Sequence, residues 1–476
     1  MSESAVTVDE TRPEGTPARP APGPAPAAAA PAGGEMPKFV QGSTMRHVLV
    51  MTATGSVGLM AIFLVDFLSL LYISWLGNAS LTAAVGFATI VLFFATSINI
   101  GLMIAVGALV SRALGARERD RARRLAASLV TQTAIIASLF SLAVLPFVGP
   151  ILTLIGATGE AHAVAARFLA ITLPSNVLMG LGMALSGVLR AVGDARRAMY
   201  VTLAGGVMTA IADPIFIFLL GLGVDGAAIV IVLSRATFVF VGLRSVVKVH
   251  HLMARPHLDH VVADMKPMLG IAVPAILTNV ATPVANAFIA ATIARFGDTA
   301  IAASAIIDRL IPLCFGVIFA LSGAVGPILG QNWGARRFDR MHGVLVNSLV
   351  LVTVYVLGVW LVLVLLGDLI PRLFHVAGTR TGELVVFFSL VSGAIWLFNG
   401  FLFVANAAFN NLGFPLYATA FNWTKATLGT LPFAALGARL GGVEGVMLGI
   451  AGGALIFGIA AAVTAFRAVA RLAREG

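Results

Sequence analysis

Charge is scarce in this chain: Asp, Glu, Lys and Arg make up only 11% of its 476 residues, where a soluble domain carries roughly a quarter. Hydrophobic residues reach 59%. A water-soluble fold is therefore excluded, and the chain reads as an all-α polytopic membrane protein with spans of about 20 residues or more. It has one cysteine, Cys314, inside an apolar run, which rules out an internal disulfide and a thiolate metal cluster. His250, His251, His257 and His260 lie near the middle, but no cluster of cysteines or carboxylates completes a metal site with them. No Walker pattern occurs, so ATP hydrolysis is not supported and no enzymatic chemistry or organic cofactor is expected. The first 40 residues lack both a basic start and an apolar core, so they are not a signal peptide. Their Pro, Ala, Gly and Glu content predicts a disordered tail over 1–45.

Twelve apolar runs are present, near 48–75, 81–111, 123–148, 163–190, 197–220, 225–246, 267–294, 299–329, 342–367, 384–411, 415–437 and 443–467. Basic residues gather in alternate connections: Arg117 to Arg124, then Arg190, Arg196 and Arg197, then Lys248, Arg255 and Lys266, then Arg336, Arg337 and Arg340, and last Arg467 to Arg474. With twelve spans these all fall on one face, which accounts for the net charge of +10 without nucleic acid and predicts an inner (plasma) membrane protein with both termini cytoplasmic. The expected partners are a small-molecule substrate and the lipid bilayer, with the chain acting as a monomer.

The chain repeats itself. GALVSRALGARERDR at 107–121 returns as GPILGQNWGARRFDR at 326–340, GVDG at 223–226 as GVEG at 442–445, and LGNASLTAA at 76–84 as FGDTAIAAS at 296–304, each about 220 residues later. An even number of spans per half makes the repeat parallel, with a pseudo-two-fold axis along the membrane normal. The predicted organisation is a lobe over 46–246, a linker over 247–266 and a second lobe over 267–476, which suits alternating access around a central cavity.

The motifs resemble the multidrug and toxic compound extrusion (MATE) transporters. They are Val65-Asp66 with Gly77, Ala83 and Ala84; Ser111-Arg112 with Gly115; Leu189-Arg190-Ala191-Val192-Gly193-Asp194; Asp213 to Ala228; Pro327 to Arg340; and Asn406 to Pro415. The resemblance spans about 45–470. It implies twelve helices and a secondary antiporter that exports hydrophobic, often cationic molecules in exchange for protons. A Na⁺-coupled version, a flippase for lipid-linked precursors and a non-transporting scaffold with the same fold are the alternatives.

Two acids lie at membrane depth. At about 1.5 Å per residue, Asp66 and Asp213 sit roughly 20 and 22 Å along their helices. Carboxylates at one depth share a proton or hold one cation. Pro214 deprives the Ala210 carbonyl of its donor and favours a kink. Relatives often have Asn where Thr209 stands and Thr where Ile231 stands; that thinner polar network favours H⁺ over Na⁺. The NorM-like branch carries a Glu where Thr282 follows Pro274, and the repeat partner of Asp66 is the neutral Asn286. The coupling site is thus expected in the first lobe, as in the DinF-like branch. Tyr72, Asn99, Asn176, Asn279, Asn286 and Asn406 are the candidate polar groups of the cavity. Arg235, Arg309 beside Asp308, and Lys425 lie unusually deep. They either pair or snorkel, or they make the cavity partly cationic and suited to anionic or zwitterionic cargo.

Overall fold

Side chains that are apolar on every face leave a helix no water-facing side, so each run needs lipid or another helix around it. A computed structural model describes residues 36–475, and among them the chain is helical with no strand. Ten helices are long and apolar enough to span a membrane, a bent pair forms an eleventh span, and the longest helix is broken at Gly441 and Gly442 into two, giving twelve among the described residues. We number them α1 (Thr44–Ser74), α2 (Ala79–Gly115), α3 (Arg119–Leu154), α4 (Gly159–Thr172 with Asn176–Val192), α5 (Ala195–Leu219), α6 (Gly223–Val249), α7 (Met265–Ala294), α8 (Asp298–Gly334), α9 (Phe338–Leu365), α10 (Arg380–Asn411), α11 (415–440) and α12 (443–475). Side-chain caps start several of them: Ser43 accepts from the Arg46 amide, Asn78 from Ser80, Asp194 from Arg197 and Thr379 from Gly382.

The sequence repeat is also a backbone repeat. Arg117 and Arg336, at the same place in the two Gly-Ala-Arg loops, both take a left-handed conformation, with φ of 62° and 55°. Gly77 and Gly297 do so at φ 72° and 88°, and Gly223 and Gly442 at 55° and 60°. Non-glycine residues seldom sit there, so the pair of arginines marks a loop geometry held in both halves.

Two buried clusters fill the first lobe and one large cluster fills the second. The lobes exchange helix ends, and Ala195 at the start of α5 also joins the second lobe's core. Val48 and Met51 of α1 belong to the second lobe's core, and Met268, Ile271 and Ala272 of α7 belong to the first lobe's. A division at the linker therefore does not fully describe which residues pack together.

The tail expected over 1–45 falls outside the described residues as far as position 35. Its last part is ordered: Lys38–Val40 form a short 3₁₀ turn with Phe39 buried. This turn bridges the lobes on the face rich in arginine, called the basic face below. Lys38 Nζ donates to Gly193 O at 2.7 Å, the Phe39 amide to Gln331 Oε1 at 2.9 Å, and Arg340 Nη2 to Phe39 O at 2.9 Å. Phe39 is drawn in because its apolar ring and its amide both find partners at the lobe junction, a tertiary reason invisible in a Pro/Ala-rich stretch.

Candidate functional site

α1 and α5 both run away from the basic face and pack in a constant register. The hydrogens of Gly58 face the hydroxyl of Thr202, Gly206 faces Val65, and one step farther Ser69 Oγ donates to Asp213 Oδ2. A Cβ on Gly58 would come within 2.5 Å of Thr202 Oγ1, so a side chain there would have to displace the Thr202 hydroxyl. Asp213 is buried at 2% exposure. Asp66 lies one turn below Ser69 on the same face of α1, is exposed, and is close enough for its charge to act on Asp213. The two acids are thus brought together, but the register partner of Asp213 is Ser69, a residue the sequence reading passed over. Asp66 is about 4.5 Å lower along α1. Thr209 is buried, and its hydroxyl donates to Gly205 O at 3.1 Å. Directly after Pro214 the chain continues as a π-helix over Ile215–Leu219, the irregularity expected where proline removes a donor.

A cavity of about 310 Å³ lies between the lobes. Its walls are Met103, Met183 and Phe238 from the first lobe and Phe319 and Phe403 from the second. Leu59 and Ile62 bring α1 into the lining, and Asp66 follows Ile62 by four residues on the same helical face. Thr202 does the same for α5, with Thr209 and Asp213 farther along its face. The acid pair therefore stands just beyond the cavity.

Toward the basic face the cavity is closed by α2 crossing α8. The contact is reciprocal: a Cβ on Gly115 would fall 2.1 Å from Gln331 O, and one on Gly334 would fall 2.1 Å from Arg112 O. Arg112 Nε donates to Asn411 O at 2.9 Å, and its guanidinium lies 4.2 Å from the Trp333 ring centroid. Gln331 Nε2 donates to Ala191 O at 2.6 Å.

Of the six polar candidates, Asn279 alone lines this cavity. Asn99 Nδ2 donates to Asn176 Oδ1 at 2.8 Å inside the first lobe, and Asn422 Nδ2 donates to Asn406 Oδ1 at 2.9 Å inside the second. Tyr72 packs against Trp75 and Phe218, and Asn286 is exposed. None of the deep cations enters the lining either. Lys425 donates to Asn399 Oδ1 within the second lobe. Asp308 and Arg309 are exposed and form no ion pair with each other.

Arg235 is a staple. Its Nη1 donates to Thr172 O and Ser175 Oγ, both at 2.8 Å, where α4 bends by 51° between Thr172 and Asn176. A bend leaves carbonyls without helical donors, and the guanidinium supplies them. Arg235→Met is expected to lower stability by about 2–3 kcal/mol, read as a lower unfolding temperature in detergent, with Arg235→Lys recovering part of it.

The charged group that does line the cavity is Arg190, the only one among the described residues. The basic-residue count places it in a connection, but α4 runs to Val192 and ends at Gly193 with φ 91°. Arg190 thus sits inside the helix, with Ser186 one turn before it and also lining the cavity. The signal was available: Leu-Arg-Ala-Val-Gly has its helix-ending glycine three residues after the arginine.

The MatE family model matches residues 56–215 and 274–436, more than half of the chain. The chain is 29% identical over 423 residues to a FAD transporter of Shewanella oneidensis, covering 87% of this chain and 93% of that one. It is 25% identical over 345 residues to the multidrug export protein MepA of Staphylococcus aureus, covering 71% and 75%. Among solved structures, the Vibrio cholerae MATE transporter VcmN superposes with a TM-score of 0.84 at 23% identity, covering 91% of this chain and 98% of that one. A MOP superfamily transporter from Pyrococcus furiosus gives 0.84 at 20% identity, covering 92% and 99%. These structural likenesses speak for the fold, twelve helices in two lobes.

Proposed function

The chain belongs to the MatE family of membrane transporters, and from that premise we propose that it is a secondary antiporter exporting amphipathic small molecules in exchange for protons. The observation that carries this reading is the placement of the Asp66–Asp213 pair on the two helices that also line the inter-lobe cavity, with Asp66 one turn beyond Ile62 of α1 and Asp213 about three turns beyond Thr202 of α5. A proton taken up there changes the charge between two helices that also form the cargo wall. Rocking of the lobes then exposes the cavity to alternate sides.

H⁺ fits the oxygen set better than Na⁺. A bare Na⁺ needs several oxygen ligands at once, whereas a proton needs a single carboxylate oxygen, which Asp66 or Asp213 supplies alone. The basic face is taken as cytoplasmic by the positive-inside rule, with both termini on it, the chain in the inner membrane and the working unit a monomer. Cargo charge is left open by the relatives, one of which transports FAD and another multiple drugs. A preference for cations finds no support in the lining, which holds no acid among the described residues.

The test is uptake of fluorescent cargo by everted vesicles. An uncoupler is expected to abolish it and Na⁺ removal to leave it unchanged; dependence on Na⁺ with indifference to the uncoupler overturns proton coupling.

A further inference from the structure

A buried guanidinium normally has a carboxylate, a carbonyl or an aromatic face beside it, because removing its water without replacement is costly. Arg190 has no hydrogen bond or ion pair among the described residues, and it reaches across the inter-lobe gap so that a Cβ on Gly323 of α8 would lie 2.5 Å from its Nη1. Asp194, the nearest acid in sequence, is already engaged by Arg197 at 2.6 Å and by His250 at 2.9 Å. Ser186, one helical turn away, is 3% exposed and its hydroxyl is likewise unpartnered. Across the cavity, Asn410 and Asn411 are 4% and 5% exposed, and the side-chain oxygen of each has no donor. Four polar side chains thus border one apolar chamber: the Arg190 guanidinium, the Ser186 hydroxyl and the side-chain oxygens of Asn410 and Asn411 lack partners, while Asn411 Nδ2 donates to Ala407 O at 2.9 Å. Buried polar groups in folded proteins are almost always satisfied, so such a cluster marks a ligand position.

We propose that Arg190 and Ser186 form the recognition site for an anionic oxygen group, phosphate or carboxylate, so that the cargo is an amphipathic organic anion. The planar guanidinium presents two parallel N–H groups to two oxygens of the anion, and the Ser186 hydroxyl donates a third hydrogen bond. Asn410 and Asn411 line the opposite wall of the cavity. Phe238, Phe319 and Phe403 enclose its flat apolar body. The assignment rests on the export reading only for the direction of movement, since recognition itself is a property of the cavity.

Purified protein in detergent is titrated with riboflavin and with riboflavin 5′-phosphate, two fluorescent probes that share a ring and differ by one phosphate. A pyrene carboxylate and the matching pyrene alcohol form a second pair, which separates phosphate from carboxylate recognition. The wild type is expected to favour the anion of at least one pair by about 10- to 100-fold. Arg190→Gln is expected to bring that ratio near unity, Arg190→Lys to keep part of it, and Ser186→Ala to lower it by less. Equal affinity for both members of both pairs in the wild type overturns the assignment, whether or not any variant folds. So does an undiminished ratio in Arg190→Gln. The same probes in everted vesicles report on export separately. Selective binding without energised uptake sinks the antiporter reading and leaves the anion site standing, and uptake of both members of a pair at equal affinity does the reverse.

Discussion

Asp213→Asn is expected to abolish proton-driven efflux while leaving the protein folded and inserted. Asn matches Asp in shape, and its side-chain oxygen still accepts from the Ser69 hydroxyl that meets Asp213 in the native chain. What it lacks is the ability to lose and regain a proton, so the site stays neutral through the cycle. One proton moving down 100 mV and one pH unit supplies about 2.3 plus about 1.4 kcal/mol, enough for a cargo gradient of about 500-fold. The variant is expected to hold none, with cargo equilibrating to the same concentration on both sides of everted vesicles. Asp66→Asn is expected to act in the same direction. Asp66 lies on the face of α1 that carries Ser69, and its charge acts on Asp213, so the two acids titrate as one unit. Ser69→Ala keeps both acids and is expected to retain uptake with an altered pH profile. A wild-type gradient in Asp213→Asn means that coupling lies elsewhere.

That acid pair was legible because ionisable residues inside a span are rare, and rarity survives without knowledge of packing. The twelve spans and the parallel repeat were legible for a similar reason, since they rest on long runs and on motifs that recur at one offset. Arg117 and Arg336 show how far the recurrence goes, down to a shared left-handed φ. The cavity lining was not legible. In a helix that is apolar all round, periodicity does not say which face meets lipid and which meets protein. Asn99 and Asn406 looked like cavity groups, yet each is hydrogen-bonded to another asparagine within its own lobe. Arg190 was hidden in the opposite way: a cation near a helix end is counted with the basic connections, and only packing reveals that its side chain turns inward across α8. The exchange of the α1 and α7 ends between the two cores likewise depends on contacts distant in sequence, such as Gly55 with Ala320 and Gly101 with Ile276.

Gly115→Val is expected to hold the basic face open and to stop transport as fully as the acid variants do. The two lobes meet there through backbone, not through side chains that can turn aside. A Cβ at position 115 would lie 2.1 Å from Gln331 O, and the symmetry-related Cβ at 334 would lie 2.1 Å from Arg112 O, far inside van der Waals contact. Valine adds two further carbons, so α2 and α8 must separate. Overpacking of this kind costs about 1–3 kcal/mol in a core that can give, and at 3 kcal/mol an equilibrium between closed and open arrangements moves by about 150-fold. Separation also breaks the bond from Gln331 to Ala191 and draws the Phe39 turn off its seat. Spin labels at Asp120 and Asp339, both exposed and in matching positions of the two repeats, read the gap directly after Cys314 is replaced by serine. The distance between them is expected to lengthen and to stop responding to pH, and Gly334→Val is expected to reproduce the result because the contact is reciprocal. An unchanged distance with wild-type efflux in both variants would mean that the α2–α8 crossing takes no part in alternating access.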